Sequence, residues 1–166
     1  LRVAVLYHDI GYIEHYLDHE AIGSRIATEE LPDMGYTPEQ IQKVVGLIMA
    51  TRMPHNPRTD LQKIICDADL DSLGRDDFFV ISHSLRLELE EMGIQTTLKE
   101  WYTRQLKFLE SHEYLSEAAV TLKRIEGKQR NIKELREVLN LPMPETPKPE
   151  ETVIPPKPEP PSPPAP

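Results

Sequence analysis

The chain has 166 residues, with 28 acidic side chains against 19 basic ones, six histidines and a formal net charge of −9. Such an acidic balance argues against sequence-independent nucleic-acid binding, which needs Lys and Arg to neutralise phosphates. The single cysteine, Cys66, forms no internal disulfide, no apolar run reaches the roughly 18 residues of a membrane span, and no secretory signal is visible. The expectation is therefore a soluble, cytoplasmic protein with no membrane or nucleic-acid partner.

Composition changes near residue 140. Twelve of the sixteen prolines lie in 141–166, which cannot bury enough apolar surface to fold or hold a helix. That segment is expected to be a disordered proline-rich tail or linker, suited to tethering a further domain or meeting a partner. Residues 1–140 hold 17 basic and 24 acidic residues and have a common size for one domain. Leu1 opens inside an apolar, helix-like run ending at Tyr7, so this domain is expected to be truncated at its N-terminus, with one or more helices upstream.

The predicted elements are all helical. Asp18 is placed as the cap of a helix from His19 to about Leu31, ahead of Pro32. Thr37-Pro38-Glu39-Gln40 combines a capping threonine, proline at the first helical position and a reciprocal glutamine, ahead of Ile41, Val44, Val45 and Ile48. Thr59 to Gln62 repeats the box before Ile64, Ile65 and Ala68, with Gly74 closing the helix. A helix over 76–92 should end at Gly93. Thr97 to Glu100 is a third box, before Trp101, Leu106 and Leu109, and a last stretch from Leu115 to Leu139 is expected to break near Gly127. No hairpin signal or alternating strand occurs. The fold class read from this pattern is all-α, and the aromatic run Trp101 to Tyr114 reads as core packing.

The chemistry concentrates in two places. His8-Asp9 follows the apolar run and precedes Ile10-Gly11, a helix terminus. A carboxylate buried there meets the negative end of the helix dipole and loses its water, which calls for a compensating positive charge. Sixty residues on, at about 100° per residue, Leu61, Ile64, Ile65, Ala68 and Ser72 form one stripe of a helix, and Asp69 falls inside its apolar arc beside Cys66. Asp67 and Asp71 fall on the polar side and read as a solvated face. An inward Asp69 and an inward His8-Asp9 can converge on one cation.

In these segments the chain resembles the HD-domain metal-dependent phosphohydrolases. The doublet in AVLYHDIGY, the His-Glu segment HEAIGS from His19 to Ser24, and Asp69 in CDADLDSLGRDDF match the family's motifs in order, over roughly residues 1–78. The resemblance implies an HD-domain-like helical bundle and a divalent cation held by His8, Asp9, Asp69 and a first histidine upstream of Leu1. One metal ion per site is expected, because Thr51-Arg52 stands where two-metal members carry further histidines. Mn, Fe, Co, Ni or Zn suits such a donor set, and Mg suits it less well.

The implied activity is hydrolysis of a nucleotide or related phosphoester by a metal-activated water, with Asp9 and His19 as catalytic residues. His19, Arg52 and Arg75 are the candidate phosphate contacts. The alternative is a catalytically inactive HD-type module that binds a ligand within a multidomain signalling protein.

Overall fold

The computed structural model describes residues 1–142, and every regular element among them is helical. The all-α expectation holds. The disordered-tail expectation falls on 143–166, outside the described residues.

Two short helices and their caps frame the first half. α1 (Arg2–Tyr7) passes through a 3-10 turn, Ile10–Ile13, into α2 (His19–Glu30). Asp18 begins α2 in a left-handed conformation (φ 57°), and its side chain does not cap the helix but accepts a hydrogen bond from Arg52 Nη2 at 2.5 Å. α3 (Pro38–Ile48) starts with the full capping box: Gln40 N–H donates to Thr37 Oγ1 at 3.4 Å and Thr37 N–H to Gln40 Oε1 at 2.8 Å. A 3-10 turn, Met49–Thr51, follows.

α4 (Asp60–Asp69) keeps only half of its predicted box. Gln62 N–H reaches Thr59 Oγ1, but the Gln62 side chain accepts from Arg58 N–H at 2.8 Å and donates to Gly46 O at 3.0 Å. That contact ties α4 to α3. The predicted stripe is also rotated. Leu61 is 51% exposed and Ala68 is exposed, while Ile65 and Cys66 are buried and Cys66 S–H donates to Ala50 O. The helix has turned this face, which includes Asp69, toward α3 and the 3-10 turn after it.

The first apolar cluster lies among these elements and comprises Ala4, Tyr7, Ile26, Ala27, Leu31, Ile41, Val44, Leu47, Ile48 and Ile65. Burying each large aliphatic chain contributes about 1.5–3 kcal/mol. A second cluster, Leu73, Phe78, Leu106, Leu109, Ile132 and Leu135, is built by a 3-10 turn (Asp71–Gly74), α5 (Phe78–Glu91), α6 (Leu98–Ser111) and α8 (Arg124–Val138). Gly93 ends α5 at φ 86° as expected. Trp101 is buried on α6, and its Nε1–H donates to Ser82 Oγ at 2.9 Å.

The last helical stretch breaks earlier than predicted. α7 (Glu117–Thr121) ends at Leu122, and Lys123, at φ 55°, starts α8. Gly127 lies inside α8 and serves a different purpose there. The backbone of α8 rests directly on Asp71–Gly74, so a Cβ at Gly127 would stand 1.9 Å from Gly74 O, and one at Gly74 would stand 2.3 Å from Arg124 O.

Two of the aspartates read as solvated are not. Asp67 is 6% exposed, because the segment between α6 and α7 folds over its side of α4. Its carboxylate accepts from Leu115 N–H (2.9 and 3.0 Å), Ser116 N–H (2.7 Å) and Ser116 Oγ–H (2.6 Å). Asp71 is half-buried and pairs with Arg124 at 2.5 Å. A single-helix wheel carries no information about a loop arriving from 48 residues away.

Candidate metal centre

His8 ends α1, Asp9 follows it, and Asp69 is the last residue of α4, so two helix ends deliver the three side chains to one place. His8 Nδ1 lies 2.8 Å from Val5 O, one turn back. That carbonyl can only accept, which assigns one proton to Nδ1 and turns Nε2 toward the carboxylates, where its lone pair becomes a ligand once a cation displaces the second proton. Nε2 stands 3.2 Å from Asp9 Oδ2 and 3.3 Å from Asp69 Oδ1. One ligand atom from each of His8, Asp9 and Asp69 lies within 4.8 Å of the other two.

The electrostatics of the cluster favour a cation. The Asp69 carboxylate at its ring pushes the His8 imidazole up to about 9, against the opposing effect of burial. Burial raises the Asp9 carboxyl, and the charges of Asp69 and Glu20 raise it further, against the cationic pull of His8 and His19. Two carboxylates and an imidazole nitrogen at this spacing are a donor set for a borderline divalent ion, and the backbone-locked His8 tautomer is the usual orienting device of such ligands.

His19 stands next to this cluster at the start of α2. Its Nε2 is 3.5 Å from Asp9 Oδ1 and 3.5 Å from Glu20 Oε1, and its Nδ1 faces Tyr16 O at 3.3 Å. Asp9 thus lies between two imidazoles, one carboxylate oxygen toward each. The sequence reading passed over Glu20, which is 7% exposed and the only buried acid on α2. A signal was present: Glu20, Gly23, Ser24 and Ala27 are spaced i, i+3, i+4, i+7 and form the buried face of that helix.

The remaining candidates lie elsewhere or are engaged. Arg52 pairs with Asp18 at 2.5 Å. Arg75 makes a two-toothed contact with Asp77 (2.9 and 2.6 Å) and a looser one with Asp71, and it lines a cleft with Gly74, Lys123, Arg124 and Arg130 in the second half. His15 is exposed and its Nδ1 accepts from Leu17 N–H, so it does not join His19 as a ligand pair. His55 contacts Thr51 O, and His112 is buried under α8.

Among the described residues, no helix is long and apolar enough to cross a membrane. Residues 1–72 match the family model described as HD domain. No curated protein and no solved structure matches the chain.

Proposed function

Residues 1–72 belong to the HD-domain family, and from that premise we propose that the protein is a cytoplasmic metal-dependent phosphohydrolase acting on a nucleotide or related small phosphoester. The family is in general one of metal-dependent hydrolases. The observation that carries the reading to these residues is the convergence of His8, Asp9 and Asp69, drawn from helix ends 60 positions apart, within 4.8 Å.

His8 Nε2, Asp9 and Asp69 would hold one divalent ion. When bound, it supplies Lewis acidity toward a phosphoryl oxygen and toward the attacking water. The chain's own residues do the rest. Val5 O holds the His8 ring in its ligating tautomer. Asp9, shared between His8 and His19, is the base placed to accept the proton of the attacking water. His19 Nε2, 3.5 Å from both Asp9 Oδ1 and Glu20 Oε1, is placed beside the cluster to meet a phosphoryl oxygen. Arg52 would join only by exchanging Asp18 for phosphate, and Arg75 only by exchanging Asp77 and Asp71.

Incubation of the 166-residue protein with Mn²⁺ and a panel of nucleoside phosphates tests the reading. Phosphate or nucleotide release that Asp69→Ala abolishes is the expected result, together with at least a 100-fold loss of Mn²⁺ affinity in that variant. Tight nucleotide binding with no turnover, in protein whose helicity is intact, would favour the non-catalytic module. Unchanged Mn²⁺ affinity in Asp69→Ala would remove the proposed centre altogether.

A further inference from the structure

Beside the candidate centre, the 3-10 turn and the loop into α2 put two tyrosines on the surface. Tyr12 is 43% exposed and Tyr16 is 40% exposed. The Tyr12 ring stacks on His19, with centroids 4.0 Å apart and planes 19° apart. Tyr16 leans against Tyr12 at 5.5 Å and 40°, so the two rings form an open V. Neither hydroxyl has a hydrogen-bond partner among the described residues. Solvated tyrosines usually lie loosely on a surface, but this pair is built in.

Three features fix it. Gly11 lets the 3-10 turn sit against the first turn of α2: a Cβ there would be 2.0 Å from His19 O. That contact brings the Tyr12 ring onto the imidazole. The loop bearing Tyr16 is pinned on both sides, by Arg25 to Glu14 at 2.6 Å and by Arg52 to Asp18 at 2.5 Å. Its turn is closed by Leu17 N–H to His15 Nδ1 at 3.1 Å. Exposed ion pairs contribute little to stability singly, yet two of them restrict where the loop can go. The pinned rings lie one imidazole's width from Asp9, since His19 touches both Asp9 and Tyr12.

We propose that Tyr12 and Tyr16 form a stacking shelf for a planar aromatic group carried by the phosphoester, a nucleobase or an aryl leaving group. This rests on the phosphohydrolase reading and adds a substrate class to it. A phosphoryl group at the His8, Asp9 and Asp69 cluster, with His19 alongside, directs its ester substituent past His19 toward the V. An aliphatic ester finds no matching partner there, whereas an aromatic one gains a π-face. The phenol rings also suit a neutral base better than a second anion, because Asp9, Asp69 and Glu20 already charge this end of the molecule negatively.

The test compares adenosine 5′-monophosphate with 2-glycerol phosphate on Mn²⁺-loaded protein, by calorimetry and by phosphate release, for the parent, Tyr16→Ala and Tyr12→Leu. The expected result is about 10-fold tighter binding of the nucleotide than of the glycerol ester, reduced to within about threefold in Tyr16→Ala while glycerol phosphate is unaffected. Equal effects of Tyr16→Ala on both ligands, or none on either, would overturn the shelf. A metal-independent arm separates this from failure of the hydrolase reading: adenosine alone is titrated while the tyrosine ring proton resonances are followed. Movement of the Tyr12 and Tyr16 signals, lost for the remaining ring in Tyr16→Ala, supports the shelf even if no phosphate is ever released. If phosphate is released but no tyrosine signal moves with adenosine, hydrolysis stands and the shelf falls. Tyr12→Leu guards against misfolding at position 16, since it keeps an apolar contact on His19 while removing the π-face.

Discussion

The two halves of the molecule are held together by different means. The first cluster is almost purely aliphatic: ten buried apolar residues on α1 to α4 meet along faces set by helical spacing. The second has six, and around it lie Lys128, Asn131, His112 and Ser82, all buried. Lys128 donates to His112 O, Asn131 Nδ2 donates to Leu73 O (2.9 Å) and Arg75 O (3.0 Å), and Tyr114 O–H donates to Leu70 O. Apolar burial is non-directional and tolerates small shifts, whereas these bonds to backbone carbonyls require one arrangement. The half bearing the candidate centre has the larger apolar core, and the other half adds to a smaller core a set of side-chain bonds onto the carbonyls of Leu70, Leu73 and Arg75 at the end of α4 and just beyond it.

Prising α8 off the Asp71–Gly74 turn should have the largest effect. Gly127→Ala places a methyl group 1.9 Å from the Gly74 carbonyl, so α8 must lift from Asp71–Gly74. A loss of more than about 3 kcal/mol in urea unfolding is expected, with the amide protons of α1 to α4 still protected from exchange where those of α8 are not. Asp67→Ala comes next. It leaves the part-buried N–H groups of Leu115 and Ser116 without their acceptor, at a cost of about 1–2 kcal/mol by the same measurement. Asp67→Asn should recover part of this, because its amide oxygen still accepts.

The pH response sharpens the contrast, because one histidine in each half moves in the opposite direction. In metal-free protein the His8 ring sits at about 9, above its ordinary 6.5. Its contribution is complete below pH 6.5 and is lost as pH rises from 6.5 through 9. Burial, helped by Lys128, pushes His112 down to about 4. Its contribution is complete above pH 6.5 and is lost as pH falls from 6.5 through 4. Each converts to about 3 kcal/mol at most and, with solvent screening of these half-buried rings, to about 1–2 kcal/mol, read as unfolding midpoints against pH in His8→Gln and His112→Gln. A Mn²⁺ affinity that climbs up to about pH 9 is the matching outcome at the centre, since the ion displaces the His8 proton. The smallest effect is expected at the surface. Lys63→Met removes the exposed pair with Asp60 and should change stability by less than about 0.5 kcal/mol.

The same division explains what could be read from the chain. Capping boxes at Thr37 and Thr97 and the apolar repeat of α3 are local, and each appears where the sequence places it. The proximity of His8, Asp9 and Asp69 was also legible, because each lies at a helix end or on a buried arc and a family motif linked them. The wheel of α4 failed at Ala68 and Asp67 because burial there is decided by α3 and by the 115–116 segment, neither of which is local. Gly127 read as a helix breaker, since nothing in its neighbours reveals that another backbone lies against it. Tyr12 and Glu20 lie within the segments AVLYHDIGY and HEAIGS but were given no role there, although Glu20 lay on a clear buried repeat.

Gly23 sits where α2 crosses the end of α1, and a Cβ there would stand 2.6 Å from Tyr7 O. With Gly11 against His19, this means that main chain, rather than interlocking side chains, gauges the gap between the two imidazole-bearing segments. Repacking experiments in the neighbouring interior, such as Ile41→Val or Leu47→Met, would then trade thermal resistance without altering how far apart His8 and His19 stand. A bioengineer could tune the scaffold and leave its chemistry alone.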